Sequence, residues 1–171
     1  MSKAPDFGAV KTSAELLSIA RAMELNSVER YRELAEAFEI SCNPDTAEAF
    51  RELAEDEARQ AADFPVPAAG LAQVVPWFEE DPEIADPGAV HYLMHPWHAL
   101  DLGLRHQERS LALFAALAEQ SPFAEVKAEA LRLVERERGH VAEITAKRDR
   151  LPEPPDDWED DLDPPNWEAG D

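Results

Sequence analysis

The sequence predicts an all-α protein: a four-helix bundle of two antiparallel hairpins joined by a long crossover, with an acidic tail behind it. Three observations carry this. Apolar residues recur at alternating steps of three and four in four separate segments, the period of one helical face. Helix-start signals precede the segments. Prolines fall between and after the segments, not inside them.

The first helix is predicted over about Ser13 to Ile40, opened by the capping-box pair Thr12 and Glu15. Asn43-Pro44 starts the second, to about Asp63, with Asn43 as the cap and proline at the first helical position. Residues 64–95 are proline-bearing with little sustained periodicity, so they read as a crossover, with a short helix near Leu71–Phe78. His95-Pro96 starts the third helix, to about Gln120, and Ser121-Pro122 caps the fourth, to about Arg150. The tight joints pair helices one with two and three with four as hairpins. Residues 1–150 thus form the bundle. Residues 151–171 form an acidic, proline-rich tail with too few apolar side chains for a core. Trp158 and Trp167 fit two readings equally: docking onto the bundle or a neighbouring subunit, or a tail that only solubilises.

With 171 residues and 44% apolar content, the chain is long enough to bury one sizeable core. Its formal net charge is −21; the tail from Leu151 holds nine acidic residues and no basic one, and the rest remains near −12. Such a surface repels nucleic-acid phosphate and anionic lipid and attracts cations. Most of that charge serves solubility. No apolar run nears the roughly 20 residues that span a bilayer, and none at the N-terminus resembles a signal peptide. A single cysteine, Cys42, excludes an internal disulfide and a four-cysteine metal site; the expected setting is reducing and cytoplasmic.

Each inward stripe is interrupted by glutamate. The first passes Leu17, Ala20, Glu24, Ser27, Tyr31, Leu34 and Phe38; the second, Phe50, Leu53, Glu57, Gln60 and Phe64. The third is assigned to Trp97, Leu100, Leu104, Glu108, Leu111 and Ala115; the fourth runs Phe123, Val126, Ala130, Leu133, Glu137, His140 and Ile144. A lone glutamate in such a stripe is ordinarily a boundary residue whose tip reaches water. Four of them, one per helix and each mid-stripe, converge on the bundle centre. Unbalanced carboxylates there would cost several kcal/mol each, so they need protons or cations. Two divalent ions would cancel four carboxylates, with the imidazole of His140 adding a neutral donor. This donor chemistry suits iron or manganese, and zinc is also consistent with it.

The stretches "AMELNSVERYRELA" around Glu24, "FRELAEDEARQ" ending at Gln60, "HQERSLALF" around Glu108 and "LVERERGHVAEI" with Glu137 and His140 together resemble the rubrerythrin-like branch of the ferritin-like di-iron superfamily. One glutamate from each of two helices plus Glu-x-x-His from each of the other two is the superfamily's ligand scheme. The resemblance spans residues 13–148 and implies a ferritin-like bundle. It also implies two iron ions held by Glu24, Glu57, Glu108, Glu137 and His140, with chemistry on peroxide or dioxygen. A homodimer or larger homo-oligomer is implied as well. Two departures stand out. Gln60 takes the place of an expected histidine and is a poorer, neutral ligand. The four-cysteine rubredoxin module of classical members cannot be built from Cys42, so turnover would need an external electron donor.

Tyr31, about 10 Å along the helix from Glu24, reads either as a hydroxyl that orients a ligand carboxylate or as a core tyrosine. Asp101 reads as exposed or flanking a water path. His106 is expected to face away from the centre. His91, His95 and His98, spaced by four and three, read as capping and surface residues, with binding of a stray transition metal as the lesser reading, and Cys42 reads as an inert turn residue. The function expected is oxidation of bound ferrous ions by peroxide or dioxygen. The alternatives are a metal-free or single-metal scaffold that acts as an interaction module, and iron storage.

Overall fold

The computed structural model describes residues 7–68 and 90–160. Among them are four helices, α1 (Ser13–Ile40), α2 (Pro44–Ala62), α3 (Pro96–Gln120) and α4 (Ala124–Arg148), and no strand. The short crossover helix expected near residues 71–78, and Trp167, lie outside the described residues. Long contacts pair α1 with α2 and α3 with α4; lighter ones join α2 to α3 and α1 to α4. The two hairpins are therefore real and pack side by side.

The caps explain the helix starts. Thr12 Oγ1 accepts from Glu15 N–H at 3.2 Å, and Glu15 Oε2 accepts from Thr12 N–H at 3.1 Å, closing both halves of the capping box. Asn43 Oδ1 accepts from Thr46 N–H at 3.3 Å, while its amide donates to the carbonyls of Tyr92 (3.0 Å) and Met94 (2.7 Å). Thr46 Oγ1 donates to the Met94 carbonyl too, at 2.6 Å. The start of α2 is thereby tied to the segment that leads into α3. Between α1 and α2 the chain reverses through Cys42 at φ 58°, and Asn43 N–H bonds back to the Phe38 carbonyl at 2.9 Å. This is the left-handed helix ending at which glycine is the usual residue. Ser121 does not cap α4 as the sequence suggested. Phe123 stands at the N-cap instead, and Ser121 Oγ accepts from Phe123 N–H at 3.2 Å within the turn.

Two apolar clusters make the core. One gathers Tyr31, Leu34, Phe38, Phe50, Leu53, Leu100, Leu104 and Ile144; Phe38 and Phe50 stack at 5.5 Å between ring centroids. The other gathers Leu16, Ile19, Met23, Phe64, Phe114, Leu117, Val126 and Leu133. Gly103 brings α3 against α2: a Cβ there would meet Leu53 Cδ2 at 2.9 Å. Along all four helices the polar residues fall between the two clusters, so the bundle has an apolar–polar–apolar layering. Of the two readings for Trp158, docking is the one observed. Its ring packs on the first cluster and lies 4.0 Å from the His98 ring and 5.7 Å from the His91 ring.

Candidate metal centre

The middle layer takes one carboxylate from each of three helices. Glu24 on α1 is 6% exposed, and Glu57 on α2 and Glu137 on α4 are fully buried. In each case the stripe has large apolar residues a turn or two on either side, and burying them carries the glutamate inward. His140, one turn beyond Glu137, has its Nδ1 3.5 Å from Glu137 Oε2 and keeps its edge towards solvent. Gln60, one turn beyond Glu57, is half-buried.

Glu108 does not join them: it is exposed on the outside of α3. The inward series of this helix is Leu100, Gly103, Gln107, Ser110, Phe114 and Leu117, with Gln107 1% exposed at the height of the layer. The close approach at Gly103 sets that rotation, about 100° away from the face that carries Glu108. Gln107 Nε2 donates to Glu57 Oε1 at 2.8 Å. His106 is a second correction. It is buried rather than outward, and its Nε2 lies 2.8 Å from Ser27 Oγ. Ser27 Oγ also lies within hydrogen-bond distance of the Met23 carbonyl, at 3.1 Å. Burial pushes the His106 pKa down, against the pull of Glu57 and Glu137. Asp101 is taken up by Arg148 at 2.8 Å and Arg105 at 2.7 Å.

The electrostatics are those of crowded acids in a dry place. Burial holds the Glu24 carboxyl well above the usual carboxylate range, reinforced by a hydrogen bond with Glu57 and by the charges of Glu57 and Glu137; Arg136 works in the other direction. Glu57 Oε2 has no hydrogen-bond partner in the chain. The Tyr31 phenol is pushed up by burial and by Glu57 and Glu24, and its hydroxyl lacks a hydrogen-bond partner. The same is true of both Glu137 oxygens, Gln60 Oε1, Gln107 Oε1 and His140 Nδ1. Buried polar atoms are nearly always paired, so this concentration of unpaired acceptors in one layer is unusual, and its chemistry is of a kind that could hold a cation. The donors meet in pairs, Glu24 with Glu57 and Glu137 with His140. Among the described residues, no three His, Cys, Asp or Glu side chains form a ready-made cluster. Arg136 borders the layer, stacked over Phe64 at 4.2 Å and donating to the Gln60 carbonyl at 2.7 Å.

Sequence reasoning missed Gln107, His106 and Arg136. The signal for Gln107 was present: the 3-4-3-4-3 series through Phe114 and Leu117 passes through it and misses Glu108.

No curated protein matches the chain. A crystal structure of an uncharacterized conserved protein from Magnetospirillum magnetotacticum MS-1 is similar to it at 28% identity and a TM-score of 0.55, covering 83% of this chain and 97% of the other. Residues 15–64, which hold Glu24, Glu57 and Gln60, match the family model described as Rubrerythrin. The α1–α2 hairpin is therefore similar to the rubrerythrin family over residues 15–64, and it is set in a four-helix bundle of the ferritin-like class.

Proposed function

We propose that the middle layer is an iron-binding carboxylate centre at which ferrous ion is oxidised by peroxide or dioxygen. One observation carries this: carboxylates from three helices are buried between two apolar clusters, with oxygens of Glu57 and Glu137 left without partners. Bare carboxylates in such a place are tolerable only with bound cations or protons. Bound ferrous iron would supply one electron per ion, and the second electron that peroxide takes on reduction to two hydroxides would come from the external donor. Glu24, Glu57 and Glu137 would hold it, with His140 offering a neutral nitrogen and Gln60 a carbonyl oxygen. Gln107 fixes the Glu57 carboxylate in one orientation through its amide, as groups behind metal ligands commonly do. Tyr31, kept protonated by its surroundings, places a hydroxyl donor on the Glu24–Glu57 side. The apolar clusters above and below exclude water from the layer, and His140 and Gln60 are where it reaches solvent.

Cys42 alone cannot build a second redox centre, so electrons would come from an external donor. No described helix is long and apolar enough to cross a membrane; a cytoplasmic homo-oligomer is the setting we propose. A second reading, a metal-free interaction scaffold, draws on the two amides Gln60 and Gln107 at the centre.

Elemental analysis of protein from iron-supplemented cells tests the proposal, with absorption spectroscopy before and after peroxide. Bound iron that turns ferric on peroxide addition, and its loss in Glu137→Ala, is the expected result. Absence of iron, with no change in melting temperature when ferrous ion is added, would overturn it in favour of the scaffold.

A further inference from the structure

We infer that the centre binds one divalent cation per chain rather than two, because Gln107 and Arg136 replace a ligand charge and a metal charge respectively. The inference rests on the cation-binding reading above and deepens it. Three carboxylates enter the layer, since α3 contributes the amide of Gln107 where Glu108 was expected. Two divalent ions would leave the interior with one uncompensated positive charge. One divalent ion leaves one negative charge, and a fixed cation is already beside it. The guanidinium of Arg136 acts on Glu24, is largely withdrawn from solvent, and is anchored by the Gln60 carbonyl and the Phe64 ring. Its ion pair with Asp63 is long, 3.8 Å, and Asp63 is exposed, so that contact neutralises little of its charge.

The donor atoms point the same way. Glu57 Oε1 already accepts from Gln107, so one of its two oxygens is committed within the chain. Gln60 and Gln107 can each offer only a neutral carbonyl oxygen, which binds a divalent ion less strongly than a carboxylate or imidazole. Charged donors that remain are Glu24, the second Glu57 oxygen and Glu137, with His140 beside it. The pairs Glu24–Glu57 and Glu137–His140 would close on a single ion between them, with neutral oxygens completing its sphere.

The test is calorimetric titration of the metal-free full-length protein with manganese(II) chloride, with elemental analysis after dialysis. Wild type is expected to bind one manganese per chain. The double variant Gln60→His/Gln107→Glu, which restores a nitrogen and a fourth carboxylate, is expected to bind two. Arg136→Gln, which removes the neighbouring positive charge, is expected to bind its first manganese at least threefold more tightly. Two manganese per chain in wild type overturns the inference and leaves the cation-site reading standing. None in wild type overturns both. A double variant that keeps its helical circular dichroism yet binds one ion removes the role assigned to Gln107. Should that variant fail to fold, Arg136→Gln decides: weaker or unchanged binding refutes the charge argument.

Discussion

Glu137→Met in the metal-free protein is the perturbation with the sharpest sign. Removing a buried polar side chain ordinarily destabilises, but Glu137 is fully buried, neither oxygen makes a hydrogen bond, its nearest partner is His140 Nδ1 at 3.5 Å, and its charge acts on Glu24. Methionine has a similar length and branches nowhere, so it fills the same space without requiring a new rotamer network. Replacing a whole buried ion pair by apolar residues of like volume is often neutral or adds about 1–4 kcal/mol, and Glu137, which leaves no hydrogen-bond partner behind, is expected to gain within that range. A mid-range gain of about 2 kcal/mol raises the melting temperature of a chain this size by about 4–8 °C. With manganese at a hundred times its dissociation constant, wild type gains about 2.7 kcal/mol by mass action and the variant gains none. The two proteins therefore exchange places: the variant melts higher in chelator, and wild type melts higher or level in manganese. Differential scanning calorimetry in the two buffers reads this directly. A variant that melts lower than wild type in chelator, or that keeps the manganese-induced rise, would refute the account of Glu137 as an uncompensated cation ligand.

Three further outcomes follow from the same structure. In chelator, wild type should gain stability as pH falls from the raised Glu24 pKa towards the ordinary carboxylate range, because the folded carboxyl holds its proton where the unfolded one has lost it. Glu24→Gln should lack that gain in a pH series of denaturant melts, and His106, whose lowered pKa opposes it below about pH 6.5, acts in both proteins and drops out of the difference. Asn43→Ala removes the α2 cap and leaves the Tyr92 carbonyl without its donor; a loss of about 2 kcal/mol in urea unfolding is expected. Cys42→Gly relieves a non-glycine residue at φ 58° and should raise stability by up to about 1 kcal/mol in the same assay.

The helices were legible because their signals were local. Thr12 with Glu15 and Asn43 with Pro44 mark starts that the backbone obeys, and short turns force the hairpins. Glu24, Glu57 and Glu137 were legible for a related reason: on α1, α2 and α4 only one stripe joins large apolar residues at both ends. The third helix offers no such uniqueness. Leu100, Leu102, Leu104, Leu111 and Leu113 lie around much of its circumference, so two stripes with the same period fit, one through Glu108 and one through Gln107. What selects between them is tertiary. Gly103 contributes nothing to an apolar count, yet it alone lets α3 approach Leu53, and that contact turns Gln107 inward. His106 is buried by the same rotation.

That rotation also changes what the centre demands of the rest of the molecule. A fourth carboxylate on α3 would have faced Glu57 and required a positive charge between them. The amide of Gln107 instead gives Glu57 a hydrogen bond from within the chain, and an amide so bonded can be buried at little cost. The two apolar clusters then close over the layer from either side, each anchored by its own ties: Asn43 and Trp158 at one end, the Thr12 capping box at the other. The strain of burying Glu24 and Glu137 is confined to one layer, where Arg136 offsets part of it and a cation would offset the rest. A bundle arranged this way has its apolar ends packed independently of whether a cation occupies the layer between them.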